Sequence, residues 1–452
     1  MRRCVALWVA FIMLSLALQS SQVVADDTVA IVGAVVIDGN GGVPIEDGVV
    51  IVHGSSIAAL GPRPDVNVPD DALIIDGRGL SVLPGLADMH VHLVGGWDGV
   101  SVDMLGYQRY LNALLYAGVT TVLDTGNVMP YVLQLRDEVA AGKIAGPRIY
   151  CVGALVDGAD PIWPPIAMTL VSRFQVPGIV DLLERSGVDA IKAYVGVSVP
   201  LLSELVRVAS ERSLSVIADL GSRTGSYDAA ATGIAAFAHL PSRAFDSATL
   251  ELVQANNVKV ITTLATKESF SRERLQDLSF LDHPLIADTN PPAFTSALRN
   301  HATRELTPAE TEQMVRWQSV LEVGKENART LAEADVMVVA GTDAPYPGTL
   351  LGEGIHRELE LLVEAGLSPL AAISTATRNA AALMQADDWG TLEIGKTADL
   401  ILVRGRPDQH IRDTRNVELV MQSGRILDRA ALKFDPNTDQ GFGVGTAVDG
   451  AK

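Results

Sequence analysis

Four short stretches carry side chains that could gather a metal ion and move a proton. "LPGLADMHVHL", Leu83 to Leu93, sets His90 and His92 one residue apart at the end of an apolar run. On a β-strand, residues i and i+2 share a face, so two neutral imidazoles there form a bite for a transition metal. The pair alone fits two ordinary strand histidines equally well, and its meaning depends on further ligands. "DAIKAYV" places Lys192 inside an apolar run, "IAAFAH" ends in His239, and "VMVVAGTDA" carries Asp343. A lysine withdrawn from water is costly unless neutralised or paired. Lys192 therefore reads as an ion-pair partner, or as a neutral amine that takes up carbon dioxide. The resulting carbamate would bridge two metals as a carboxylate does. Asp343 reads as a metal ligand and proton carrier, with capping of the "GTDA" turn as the alternative. Tyr194 shares the strand face of Lys192 and is a candidate substrate contact, with core packing as the alternative. His356 opens "HRELELLVEAG" and is a second candidate substrate contact, with a surface position at a helix start as the plainer reading.

These side chains act together only if separate elements bring them to one rim. Between residues 85 and 385 the sequence alternates apolar strands with amphipathic helical stretches. The strands read as Ala87–His92, Val119–Asp124, Arg148–Val152, Asp189–Tyr194, Leu214–Asp219, Ile234–His239, Val258–Leu264 and Val336–Asp343. Eight such repeats predict an α/β fold, a (β/α)8 TIM barrel whose strand C-termini converge on one face, where chemistry sits. The candidate ligands all fall at those ends. Lys267 to Glu312, after the seventh strand, reads as an irregular, proline-containing piece that lids the mouth.

The flanks read differently. "TVAIVGAVVID", "DGVVIV" and "SSIAALG" at residues 26–84, and "ADLILVRG" and "VELVMQSGRIL" at 386–432, are short strands broken by turns. Together they predict one small β-sandwich composed of both ends of the chain. Residues 433–452 are polar and glycine-rich and read as a disordered tail. Residues 1–25 show the order of a cleavable export signal: Arg2 and Arg3, an apolar stretch, then "VVA". This predicts a periplasmic or secreted protein without stable membrane insertion, and Cys151 then has no internal disulfide partner. The net charge of −19 disfavours nucleic acid and anionic membranes as partners. A small-molecule substrate fits, and a homo-oligomer is left open.

The stretches "GAVVIDGNGGVPIEDGVVIV", "LPGLADMHVHL", "AGVTTVLDTG", "GVDAIKAYVG", "VVAGTDAPYPG", "IHRELELLVEAGLSPLAAISTATRNAA" and "GTLEIGKTADLILVRG" occur in order along the chain. In these the sequence resembles the metal-dependent amidohydrolase superfamily, in its imidazolonepropionase-like and secreted prolidase-like branch. The resemblance implies metal ligands at His90, His92, Lys192 as carbamate, His239 and Asp343. It fails at one point. Strand five of the family ends in a histidine ligand, whereas "SLSVIADLGS" has Asp219 there, and no histidine lies between His92 and His239. Three outcomes follow: a binuclear site with an oxygen ligand from Asp219, a single metal on His90, His92 and Asp343, or a decayed site. The carboxylate at that strand end favours the first.

The expected cofactor is one or two divalent metals per chain, with Zn2+ favoured and Mn2+ or Fe2+ as alternatives. The expected activity is hydrolysis of a non-peptide C–N bond (an amide, cyclic amide or N-acyl bond), with Asp343 as proton shuttle. An Xaa-Pro-type dipeptidase on the same site is the main rival. A non-catalytic binding protein with a degenerate metal site is the alternative from another class.

Overall fold

The computed structural model describes residues 28–99, 101–221 and 224–437. The export signal expected at 1–25 lies outside the described residues, as does the expected tail from 438 onward. The start of that tail is docked: Lys433 pairs with Asp288 at 2.9 Å, and the Phe434 N–H donates to the Asp288 carbonyl.

Eight parallel strand positions form a ring. Leu86–Val91 pairs with Val119–Asp124, which pairs with Arg148–Cys151. Leu155–Asp157 continues the third position and pairs Val156 with Ala193 of the fourth strand, Ala190–Ala193. Ser215–Ala218, Ala236–Phe237, Lys259–Ile261 and Val338–Val339 follow in parallel. The eighth position then returns to the first. The Met89 N–H donates to the Ala340 carbonyl at 3.1 Å, that of Asp343 to His90 at 2.7 Å, and that of His92 to Ala344 at 2.9 Å. Glycine permits this closure: a Cβ on Gly341 would sit 2.6 Å from the Ile261 side chain and 2.8 Å from that of His90.

The hydrogen-bonded strands are shorter than the sequence predicts, and the difference lies largely at the mouth. The sixth strand stops at Phe237 and the seventh at Ile261. Beyond Ile261 the chain turns through Thr263, at φ 53°, into the helix Leu264–Ser271. Leaving the ladder there frees the strand ends to aim side chains.

The segment expected to be irregular is mostly helical. Pro284, Pro292 and Pro308 each begin a helix: Pro284–Ala287, Pro292–Thr303 and Pro308–Glu333. At the first helical position the missing N–H of proline has no partner to lose. Thr307 and Glu310 form a reciprocal cap at the start of the longest helix. The insertion borders the mouth, where Trp97 meets Phe294 and His301 edge-on, and Phe270 meets Tyr346.

The flanking strands build the composite β-sandwich. Leu80–Pro84 joins its halves, running parallel to Thr28–Val36 and antiparallel to Leu400–Arg404. Alternation divides the first strand between two apolar clusters. Val29 and Ile31 pack with Val50, Val52 and Leu400, while Ala30 packs with Val49 and Ile51.

Candidate active site

The strand ends bring six candidate side chains into one connected cluster. His90 Nε2 lies 3.3 Å and His92 Nε2 3.2 Å from the same oxygen, Asp343 Oδ1. Lys192 Nζ is 3.1 Å from His90 Nε2 and 3.7 Å from Asp219 Oδ2. Asp219 Oδ2 is in turn 3.2 Å from His239 Nε2. Lys192 thus stands between a His90–His92–Asp343 half and an Asp219–His239 half. One ligand atom from each of His90, His239 and Asp343 can be chosen so that all lie within 4.8 Å of one another.

The tautomers show what this cluster suits. His90 Nδ1 faces the Ala238 carbonyl and His92 Nδ1 faces the Gly126 carbonyl, both at 2.9 Å. A carbonyl only accepts, so each Nδ1 carries the hydrogen and each neutral ring presents a bare Nε2 lone pair. Apart from the Lys192 amine 3.1 Å from His90 Nε2, two such lone pairs and a carboxylate oxygen meet with no proton among them unless an imidazole becomes charged. Burial, with the nearby Lys192 charge, pushes His90 well below the usual histidine range. His92 is raised: burial pulls it down, but the hydrogen bond and charge of Asp343 outweigh that. Converging acceptors of N and O type are the donor set that a divalent cation satisfies. Asp219 is held below the carboxylate range, since His239, Lys192 and Lys267 outweigh the upward push of burial.

Residues around the cluster fix it in place. Buried Asp88 accepts from the Thr342 hydroxyl at 2.7 Å and the Thr342 N–H at 2.9 Å, tying strand eight to strand one beside His90. Burial raises Asp88 to about 7. Asp124 accepts from the N–H groups of Leu93 and Gly126 and from the Asn127 amide, which sets the Gly126 carbonyl against His92. His239 Nδ1 lies 2.7 Å from Thr263 Oγ1. That residue sits in a turn held by buried Glu358, which accepts from the Thr262 hydroxyl and from the Leu264 and Ala265 N–H groups. Lys267, on the following helix, is buried, and burial lowers its ammonium despite the charges of Asp343, Asp219 and Glu358. None of Asp88, Asp124, Thr263, Lys267 and Glu358 was singled out from the sequence. The usable signal was a polar residue inside an apolar run, as Asp88 is in "LADMHV".

Tyr194 lines the mouth, and its hydroxyl accepts from Trp163 Nε1 at 3.2 Å. Burial raises the Tyr194 phenol above its ordinary range. His356 is a correction on both of its readings. It is neither on the surface nor among the residues lining the mouth. It is fully buried, with Nε2 on the Ala117 carbonyl and Nδ1 on the Thr414 hydroxyl. Its helix, Glu353–Glu364, is wedged between the barrel and the Ile411–Arg415 turn, so its polar start is interior. Above the cluster opens a cavity of about 310 Å³, bordered by His92, Lys192, Tyr194, Asp219, His239 and Asp343.

Residues 81–427 match the model of the amidohydrolase family. The chain belongs to that family. This amidohydrolase is a hydrolase acting on carbon–nitrogen bonds, in a family that generally uses divalent metals. It is 24% identical over 416 residues to an imidazolonepropionase of Alkaliphilus oremlandii, covering 85% of this chain and 90% of that one. It is 26% identical over 395 residues to an imidazolonepropionase of Chloroflexus aggregans, covering 79% and 85%. In fold it is similar to an Xaa-Pro dipeptidase with methionine bound in its active site. There the TM-score is 0.73 at 22% identity, over 89% of this chain and 100% of that one.

Proposed function

We propose that this amidohydrolase hydrolyses a non-peptide C–N bond (an amide, cyclic amide or N-acyl bond) at a binuclear metal centre. His90, His92 and Asp343 would hold one metal, Asp219 and His239 the other, with Lys192 between them as a carbamate. The observation that carries the reading is the convergence of two imidazole Nε2 atoms on Asp343 Oδ1. Zn2+ suits this mixed nitrogen and oxygen set, with Mn2+ or Fe2+ as alternatives. Bound there, a divalent metal supplies Lewis acidity and makes water acidic enough to act as a nucleophile near neutral pH.

The chain's own groups do the rest. Asp343 borders the cavity and takes the proton of the attacking water. As the C–O bond forms and the C–N bond breaks, the same carboxyl hands that proton to the departing nitrogen. The Tyr194 hydroxyl already accepts from Trp163, so its own hydrogen is free to donate to the substrate carbonyl oxygen. Val94, Leu155 and Pro345 line the cavity with apolar surface that limits water around the reacting atoms. The Arg2–Arg3, apolar and small-residue order at the N-terminus supports an exported, periplasmic or secreted protein.

The test is amine release from N-acyl amino acids, cyclic amides and Xaa-Pro dipeptides by the Zn2+-loaded protein. Asp343→Asn is expected to lower the rate about 100-fold or more while leaving the circular dichroism spectrum unchanged. No cleavage of any class at full metal loading, cleavage confined to the Xaa-Pro dipeptides, or an undiminished rate in the variant, contradicts the proposal.

A further inference from the structure

The cavity has two unlike sides. The floor is the polar cluster described above, while the outer wall is made by Val94, Val102, Leu155, Trp163 and Ile166. These come from the loop after strand one, from the third strand position and from the segment after it. The apolar surface continues outward, where Val102 is 63% and Ile162 57% exposed. Trp163 is central to this wall. Its single polar atom, Nε1, is committed to the Tyr194 hydroxyl at 3.2 Å. Tyr194 in turn has Lys192 Nζ 5.5 Å from its ring centroid. Two contacts therefore connect the indole to the metal-site floor and fix its distance from the reacting bond. Apolar surface held open to water in a mouth is unfavourable, and an apolar ligand that covers it removes that cost.

We infer that the substrate carries an aryl group adjacent to the scissile C–N bond. Trp163 is the specificity-determining residue against which that group packs. The position of the bond rests on the proposed hydrolysis, whereas the apolar subsite is a property of the wall itself. An aromatic ring seated on an indole gains both burial and ring–ring contact.

The experiment measures binding rather than turnover, so its failure and the failure of the hydrolase reading are separable. Acetanilide, benzamide and N-acetylglycinamide are titrated calorimetrically into the Asp343→Asn protein. At least one of the two aryl amides is expected to bind about 10- to 100-fold more tightly than N-acetylglycinamide. Adding Trp163→Ala is expected to remove most of that preference, and Trp163→Phe to retain most of it, since phenylalanine keeps an aromatic face. Trp163 lies in a partly exposed loop, so neither change opens a hole in the core. Equal affinity for all three amides, or a preference undiminished in Trp163→Ala, overturns the inference.

Discussion

Replacing Thr263 with valine keeps the β-branch and the cost of the left-handed backbone at φ 53°, and removes one oxygen. That oxygen is 2.7 Å from His239 Nδ1. When His239 Nε2 binds a metal, Nδ1 carries the hydrogen and donates it to Thr263, which fixes the ring and makes Nε2 a better ligand. Loss of such a partner typically costs 10- to 100-fold in metal affinity, about 1.4 to 2.7 kcal/mol. The His239 side chain is 23% exposed, so water can replace part of the bond, and the lower end, about tenfold, is expected. The assay is competition for Zn2+ between the protein and a chromophoric chelator. Thr263→Ser, which restores the hydroxyl, should recover to within about threefold of the parent. Glu358→Gln should weaken binding as well, because Glu358 holds the turn from which Thr263 reaches the ring. Unchanged affinity in Thr263→Val, or serine as damaging as valine, refutes this account of His239.

Two further predictions concern the scaffold. Burial pushes His356 down to about 4, while in the unfolded chain it titrates near 6.5. Below pH 6.5 the unfolded state binds a proton that the folded state refuses, so stability falls as pH drops from 6.5 to about 4 and then levels. His356 should account for on the order of 3 kcal/mol of that loss. Comparing thermal unfolding of the parent and His356→Asn across this range checks it, because the variant should lack that part of the slope. Parallel profiles would refute the burial argument. Gly341→Ala places a methyl group 2.8 Å from the His90 Cβ and should lower metal content per chain with little change in far-UV circular dichroism. Full metal content in that variant would refute the close approach.

The barrel was legible because its strands are apolar runs of five to eight residues separated by amphipathic helices, a contrast that survives without any contact information. His90, His92, Lys192, His239 and Asp343 stood out because polar residues at apolar strand ends are few. Asp219 also ends an apolar strand, yet it was marked by its mismatch with a resemblance. The prolines at 284, 292 and 308 misled, because a proline that begins a helix and one that breaks it look alike until the cap is recognised. His356 misled for a tertiary reason. Glu353, in the first turn of its helix, is buried between Arg274 and Arg415, one from the insertion and one from the turn between two sandwich strands. Those partners come from segments 79 and 62 residues away, which no local window covers.

The central claim is that Asp219 replaces an imidazole as the ligand of a second metal. Metal content per chain, measured on protein loaded with Zn2+ and dialysed, tests it most directly when the parent is compared with Asp219→Ala. Two metals are expected in the parent and one in the variant. One metal in both would make Asp219 a bystander and contradict the binuclear centre.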